Sequence, residues 1–142
     1  MAISIIMNSL IDFIFLGDSL TFGYGVKPKD NWVHKLSEYL KLNILNKGVN
    51  GNTTTDMLFR FYEDVVSNSP EWLFIMGGTN DLLSNRPVSK IIENMEVMIK
   101  EAFAKNIKVI IGIPPVIDSA MAQALFMPSL TYDYCHKNLE VL

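Results

Sequence analysis

Three short segments of this 142-residue chain carry residue types that could perform acyl transfer. Gly17-Asp18-Ser19-Leu20 offers a hydroxyl nucleophile, Asn50-Gly51-Asn52 a backbone N–H, and Gly77-Gly78-Thr79-Asn80-Asp81 a side-chain amide. A serine that attacks a carbonyl generates an oxyanion, and that charge needs donors already fixed at hydrogen-bond distance. A glycine N–H can approach a substrate closely because no Cβ intervenes, and an asparagine amide adds a second fixed donor. Ser19, Gly51 and Asn80 are therefore the candidate site residues. A plainer reading stands beside each: a turn or cap serine, a glycine needed for positive φ, and a turn or cap asparagine. Asp18 tunes its turn, and Asp81 is expected to organise its loop as a hydrogen-bond acceptor rather than to act as an acid or base.

Such a site works only if three chain segments converge, and the hydrophobic pattern says how. Residues 12–17 are a short apolar run closed by glycine, which predicts a buried strand followed by a loop. Trp32, Val33, Leu36, Tyr39 and Leu40 recur at helical spacing, so 30–41 is predicted as an amphipathic helix with Asp30 as a possible N-cap and Trp32 as a core anchor. Residues 42–49 have strand length and run into the Asn50-Gly51-Asn52 turn. Residues 53–56 supply capping groups for a helix with Met57, Leu58, Phe61, Val65 and Val66 on its apolar face. Residues 72–76 form a third strand, with a loop opening at Thr79. Pro87 and Ser89 introduce a helix whose inner side is Ile91, Ile92, Met95, Met98, Ile99, Ala102 and Phe103. Residues 107–113 are a fourth strand, stopped by Pro114-Pro115. Beyond them, 119–127 read as a short helix and 131–142 as another, with Tyr132, Cys135, Leu139 and Leu142 on one stripe. Strands alternating with helices imply right-handed crossovers and a parallel sheet in a three-layer α/β/α domain. Ligands of such sheets lie beyond the carboxyl ends of the strands, where all three candidate segments fall.

Composition narrows the partners. The chain is 49% hydrophobic and 19% charged, the balance of a globular domain, and its length suits one domain over 1–142. A net charge of −3 with scattered lysines speaks against nucleic acid, which demands a basic face. The apolar opening Met1 to Met7 lacks the basic start and cleavage site of a secretory signal, and no run has membrane-spanning length. A single cysteine, Cys135, fits a reducing compartment and reads as an inert buried thiol, so a cytoplasmic location is the expectation. With two histidines and one cysteine, neither a metal site nor any cofactor is expected. A nucleotide-binding domain is disfavoured, because the first loop has no G-x-G-x-x-G and no P-loop lysine.

The three segments together resemble a known family. Gly17-Asp18-Ser19-Leu20-Thr21-Phe22-Gly23-Tyr24-Gly25 is similar to the first block of the SGNH (GDSL) hydrolases, Gly48-Val49-Asn50-Gly51-Asn52-Thr53 to the second, and Gly77-Gly78-Thr79-Asn80-Asp81 to the third. The resemblance covers roughly residues 12–118. It implies a flavodoxin-like parallel sheet with strand order 2-1-3-4 and a fifth strand, and a serine esterase or lipase-like acyl hydrolase acting on small-molecule or lipid esters. In that family Ser19 would be the nucleophile and, through its N–H, an oxyanion donor, with the Gly51 N–H and the Asn80 side chain as the other donors. The G-x-S-x-G elbow of the α/β-hydrolases proper is absent.

The family's last block, Asp-x-x-His followed by proline, would supply the general base and its orienting carboxylate. Asp133-Tyr134-Cys135-His136 has that spacing, but only about 22 residues separate Pro114 from His136. A further helix, strand and loop need on the order of 35 to 45. The pattern through Asp133 and His136 is helical, and both are expected on an exposed helix face. His34, inside the helix predicted over 30–41, reads as a surface or half-buried histidine. The expectation is thus a domain incomplete at its C-terminus, without the fifth strand. The rival to an active esterase is a crippled domain that keeps the pocket and lacks the base. An uncovered fourth strand would favour a homo-oligomer, through the sheet edge or a swapped C-terminal helix.

Overall fold

The computed structural model describes residues 10–142, so the apolar opening Met1 to Met7 lies outside the described residues. Four parallel strands, β1 (Phe13–Gly17), β2 (Ile44–Gly48), β3 (Trp72–Met76) and β4 (Lys108–Ile111), are ordered β2-β1-β3-β4. The three-layer parallel α/β architecture and the order 2-1-3-4 are as the pattern and the resemblance predict. Register pairs Gly17 with both Gly48 and Met76. Three strands therefore end level, and the loops that follow open on one rim.

Alternation of side chains along β1 divides the core. Ile14 and Leu16, with Leu73 and Ile75 of β3, face a layer built from α3 (Thr54–Phe59), α4 (Phe61–Asp64) and α6 (Val88–Ala104), where Met57, Phe61, Val65, Met98 and Ala102 are buried. On the opposite face Phe15 stacks on Phe74 with ring centroids 4.7 Å apart, and Trp32 of α2 (Trp32–Leu40) packs against both. A smaller cluster of Leu82, Ile91, Cys135 and Leu139 joins α5 (Thr79–Leu83), α6 and α8 (Thr131–Leu139).

Several local expectations are corrected. The segments after β1 and β3 are not loops: α1 (Ser19–Phe22) and α5 begin there. One-turn helices carry no readable period, and these are set by tertiary contacts. The second helix is capped by Asn31, because Asp30 sits in a 3-10 turn at Pro28–Asp30. Trp32 is 39% exposed, and of the predicted apolar face only Val33 is buried. The helix predicted from residue 53 breaks at Arg60 into α3 and α4. On α6, Ile92 and Phe103 are exposed while Asn94 is buried on the inner stripe. The last strand stops at Ile111, and the last helix at Leu139.

Candidate active site

Ser19 is the first residue of α1, directly beyond β1. Asp18 caps that helix, its Oδ1 accepting the Leu20 N–H at 2.9 Å. Burial pushes the Asp18 carboxyl above the usual aspartate range, against the pull of the Leu20 N–H, and the charge of nearby Asp81 pushes the same way. The far end of α1 is held by side chains from two other elements. Trp32 Nε1 donates to the Leu20 carbonyl at 2.8 Å, Asn46 Nδ2 donates to that of Thr21 at 2.8 Å, and Asn31 Nδ2 donates to that of Phe22. These are the carbonyls a four-residue helix leaves unsatisfied. Trp32, expected as a core anchor, is a donor at the rim.

The backbone of β2 comes so close to α1 that only glycine fits at its end. A Cβ on Gly48 would lie 2.7 Å from the Thr21 carbonyl carbon and closer still to the Phe22 nitrogen, both main-chain atoms that cannot rotate aside. Gly48→Ala is expected to displace α1 and with it Ser19, costing about 1–3 kcal/mol in urea denaturation. A loss below about 0.5 kcal/mol would contradict this packing.

Gly51 has φ +75°, in the left-handed region, in the turn closed by the Asn52 N–H on the Val49 carbonyl at 3.2 Å. Asn80 Nδ2 donates to the Asn52 carbonyl at 2.9 Å. The second and third candidate segments are thereby joined directly, and Asn80 is a part-buried donor already oriented toward the Gly51 loop. The first segment joins them through the ladder, since the Val49 N–H donates to the Gly17 carbonyl at 3.0 Å.

Beneath these loops lies a polar network. Asp81, fully buried, accepts the Thr54 N–H and Oγ1–H, both at 2.8 Å. Asn94 Nδ2 donates to Thr54 Oγ1 at 2.9 Å, and Arg86 lies 3.7 Å from the Asp81 carboxylate. Asp81 is thus the acceptor it was expected to be, locking α5, which carries Asn80, to the N-terminus of α3. Thr54, Asn94, Arg86 and Arg60 were not among the candidates. For two of them the signal was polarity on an apolar stripe: Asn94 falls between Ile91 and Met98, and Arg60 between Met57 and Phe61.

At the head of α3, Thr53 and Asp56 form a reciprocal capping box. Hydrogen bonds from the Thr53 side chain and backbone hold the Asp56 carboxyl below its ordinary range. A carboxylate whose folded pKa is depressed contributes stability that is fully present above its unfolded pKa, near 3.8, and lost as pH falls through the lower folded value. Thr53→Ala is expected to cost about 1 kcal/mol at pH 7. In urea titrations, Asp56→Asn should narrow the stability lost between neutral pH and about pH 3. Unchanged acid sensitivity would contradict this.

The candidate base stands elsewhere. His136, on α8, has its Nδ1 2.6 Å from the Ile117 carbonyl and its Nε2 3.9 Å from Glu140. Asp133 is exposed on the same helix, and His136 is half-buried rather than facing solvent as expected. His34 is exposed and pairs with Glu38 at 3.6 Å. Among the described residues, no histidine hydrogen-bonds Ser19. Cys135 is buried on the α5–α8 contact, where desolvation pushes its thiol up to about 11. Its modification by a thiol reagent at pH 8 should be at least tenfold slower in the folded chain than in urea, and equal rates would contradict an inert thiol.

A parallel sheet ordered 2-1-3-4, with serine, glycine and asparagine delivered at three level strand ends, defines the SGNH-type α/β hydrolase fold. The chain belongs to the GDSL-like Lipase/Acylhydrolase family, whose model matches residues 15–135. It is 39% identical over 129 residues to the uncharacterized lipoprotein YqeF of Bacillus subtilis (strain 168), covering 81% of this chain and 53% of that one. It is 29% identical over 110 residues to the arylesterase of Vibrio mimicus, covering 72% and 55%. Among solved structures, the lipase/acylhydrolase from Enterococcus faecalis superposes with a TM-score of 0.68 at 29% identity, covering 91% of this chain and 69% of the other. The chain therefore spans about half the length of both sequence relatives.

Proposed function

We propose that this chain carries the nucleophile and oxyanion donors of a serine ester hydrolase that works through an acyl-enzyme at Ser19. The observation that carries the reading is the Asn80 Nδ2 hydrogen bond to the Asn52 carbonyl, which ties the Asn80 segment to the residue after Gly51, beyond strand ends level with the one that precedes Ser19. In the first step the Ser19 hydroxyl adds to the ester carbonyl and its proton passes to a base. The Ser19 and Gly51 N–H groups and the Asn80 amide stabilise the oxyanion, and the alcohol leaves. Water then attacks the acyl-enzyme and releases the acid. The substrate class is a small-molecule or lipid ester, a reading supported by the family and by the relative that is an arylesterase.

A second reading has its own support. His136 is engaged by the Ile117 carbonyl and His34 by Glu38, which supports a domain that keeps the expected oxyanion donors and has no histidine engaged with Ser19 among the described residues. A fluorophosphonate separates the two. Rapid stoichiometric capture at Ser19 supports an activated nucleophile, whereas no capture above the Ser19→Ala background supports the crippled domain. We also propose self-association through β4, whose outer edge is unpaired among the described residues and carries Ile110 and Ile111, 42% and 57% exposed. Light scattering should find a dimer, and a stable monomer at high concentration would overturn that.

A further inference from the structure

One side chain touches both of the first two candidate segments, and it belongs to neither. Arg60 sits at the break between α3 and α4, with φ −98° and ψ 6°, and its side chain is only 17% exposed. Its Nη2 donates to the Gly17 carbonyl at 3.0 Å, two residues before Ser19. Its Nε donates to Asn52 Oδ1 at 2.8 Å, one residue after Gly51. Its Nη1 donates to the Lys47 carbonyl at 2.9 Å, at the end of β2, and to Asp64 Oδ2 at 2.5 Å. Asp64 is held in turn by Lys47 Nζ at 2.9 Å. Burial pushes the Asp64 carboxyl up, but the hydrogen bonds and charges of Lys47 and Arg60 outweigh it and leave the group below its ordinary range, ionised and able to anchor the guanidinium.

We propose that Arg60 is a positioning residue of this site: its guanidinium fixes the Ser19 and Gly51 loops to each other and, through Asn52, sets the Asn80 amide. The role as a catalytic aid rests on the ester-hydrolase reading, but the positioning does not. Asn52 is the link, because its side chain accepts from Arg60 while its main-chain carbonyl accepts from Asn80. Turning the Asn52 peptide would change the direction of the preceding turn, hence of the Gly51 N–H, and release the Asn80 amide at the same time. A planar fork with five donors can bind two carbonyls, an amide oxygen and a carboxylate at once. A lysine in its place is a single point charge and can keep only part of that set.

The test uses Arg60→Lys and Arg60→Ala, with Val65→Ala as a control that loosens α4 and the core without touching the loops. By NMR, the Asn80 and Asn52 side-chain amide signals and the Gly51 N–H should shift in both Arg60 variants. Exchange of the Asn52 N–H should accelerate at least tenfold. None of these should change in Val65→Ala, even where its melting temperature falls as far as that of Arg60→Lys. On an ester substrate, Arg60→Lys should lose about 10- to 100-fold in kcat with KM within about twofold, the pattern of misplaced transition-state donors. Should Arg60→Ala fail to fold, Arg60→Lys decides. Unmoved Gly51, Asn52 and Asn80 signals, or the same changes in Val65→Ala, would overturn the proposal. Moved signals in a chain whose wild type turns over no ester would leave Arg60 its positioning role and remove the hydrolase reading instead.

Discussion

Ser19→Ala is expected to bring hydrolysis of a short-chain p-nitrophenyl ester down to the rate supported by the pocket alone. Loss of a nucleophile from a serine site leaves on the order of 10³- to 10⁴-fold over water, because oxyanion donors and substrate binding persist. The size of the drop therefore reports how well Ser19 is activated. A large drop means a base reaches its hydroxyl, while a small one means the wild type was itself running on the pocket. His136→Ala is the informative partner. With Nδ1 on the Ile117 carbonyl, His136 secures the segment before α7 (Ser119–Leu125), and its removal should lower stability while leaving the Ser19-dependent rate within about twofold. A parallel collapse of activity in both variants would mean that His136 leaves its carbonyl to serve Ser19.

Asp81→Ala should be the most damaging single change to stability. The carboxylate is fully buried and accepts both Thr54 donors, and Arg86 is its nearest cation. Removing it strands the Thr54 N–H, loosens the Asn94 contact to Thr54 and leaves Arg86 without its carboxylate. Breaking a buried charged network of this kind costs about 3–5 kcal/mol, which for a chain of this size lowers the melting temperature by roughly 10 °C or more. Asp81→Asn keeps the shape and one acceptor, so its loss should be smaller. Since α5 carries Asn80, the surviving folded fraction should also lose activity beyond its loss of stability. A cost below about 1 kcal/mol for Asp81→Ala would contradict the network.

The elements that could be read from the sequence were those with enough residues to show a period. β3 lies at Trp72–Met76 as predicted, and the helix after Pro87 at Val88–Ala104, because an apolar run bounded by Pro70 and Gly77, or a long stripe from Ile91 to Ala102, has few alternatives. α1 and α5 were missed because four or five residues fix no period: the turn of α1 is set by the Asp18 cap and by side chains reaching in from Asn31, Trp32 and Asn46, and α5 is held through the bonds of Asp81 to Thr54. Trp32 and Tyr39 were misplaced inward for a related reason. α2 lies over the Phe15–Phe74 face of the sheet but buries only Val33 fully, so its pattern overstated the depth of its contact.

The candidate site was legible as residue types and not as geometry. Ser19, Gly51 and Asn80 could be named from spacing after predicted strands. That the Asn52 carbonyl receives the Asn80 amide, and that Arg60 ties Gly17 to Asn52, depend on contacts 28 and 43 residues apart in the chain. Asp133 and His136 are the reverse case: their spacing matches a motif, yet, as the helical pattern predicted, they lie on an α-helix, where Asp133 is exposed and His136 meets the Ile117 carbonyl.

Trapping of the acyl-enzyme tests the central claim most directly. The chain would be mixed with excess short-chain p-nitrophenyl ester, quenched in acid during turnover, digested and mapped by mass spectrometry. The prediction is one acyl group on the peptide containing Ser19, absent in Ser19→Ala and lost on chasing with ester-free buffer. Turnover of the ester with Ser19 unacylated, or with the acyl group on another residue, would contradict it.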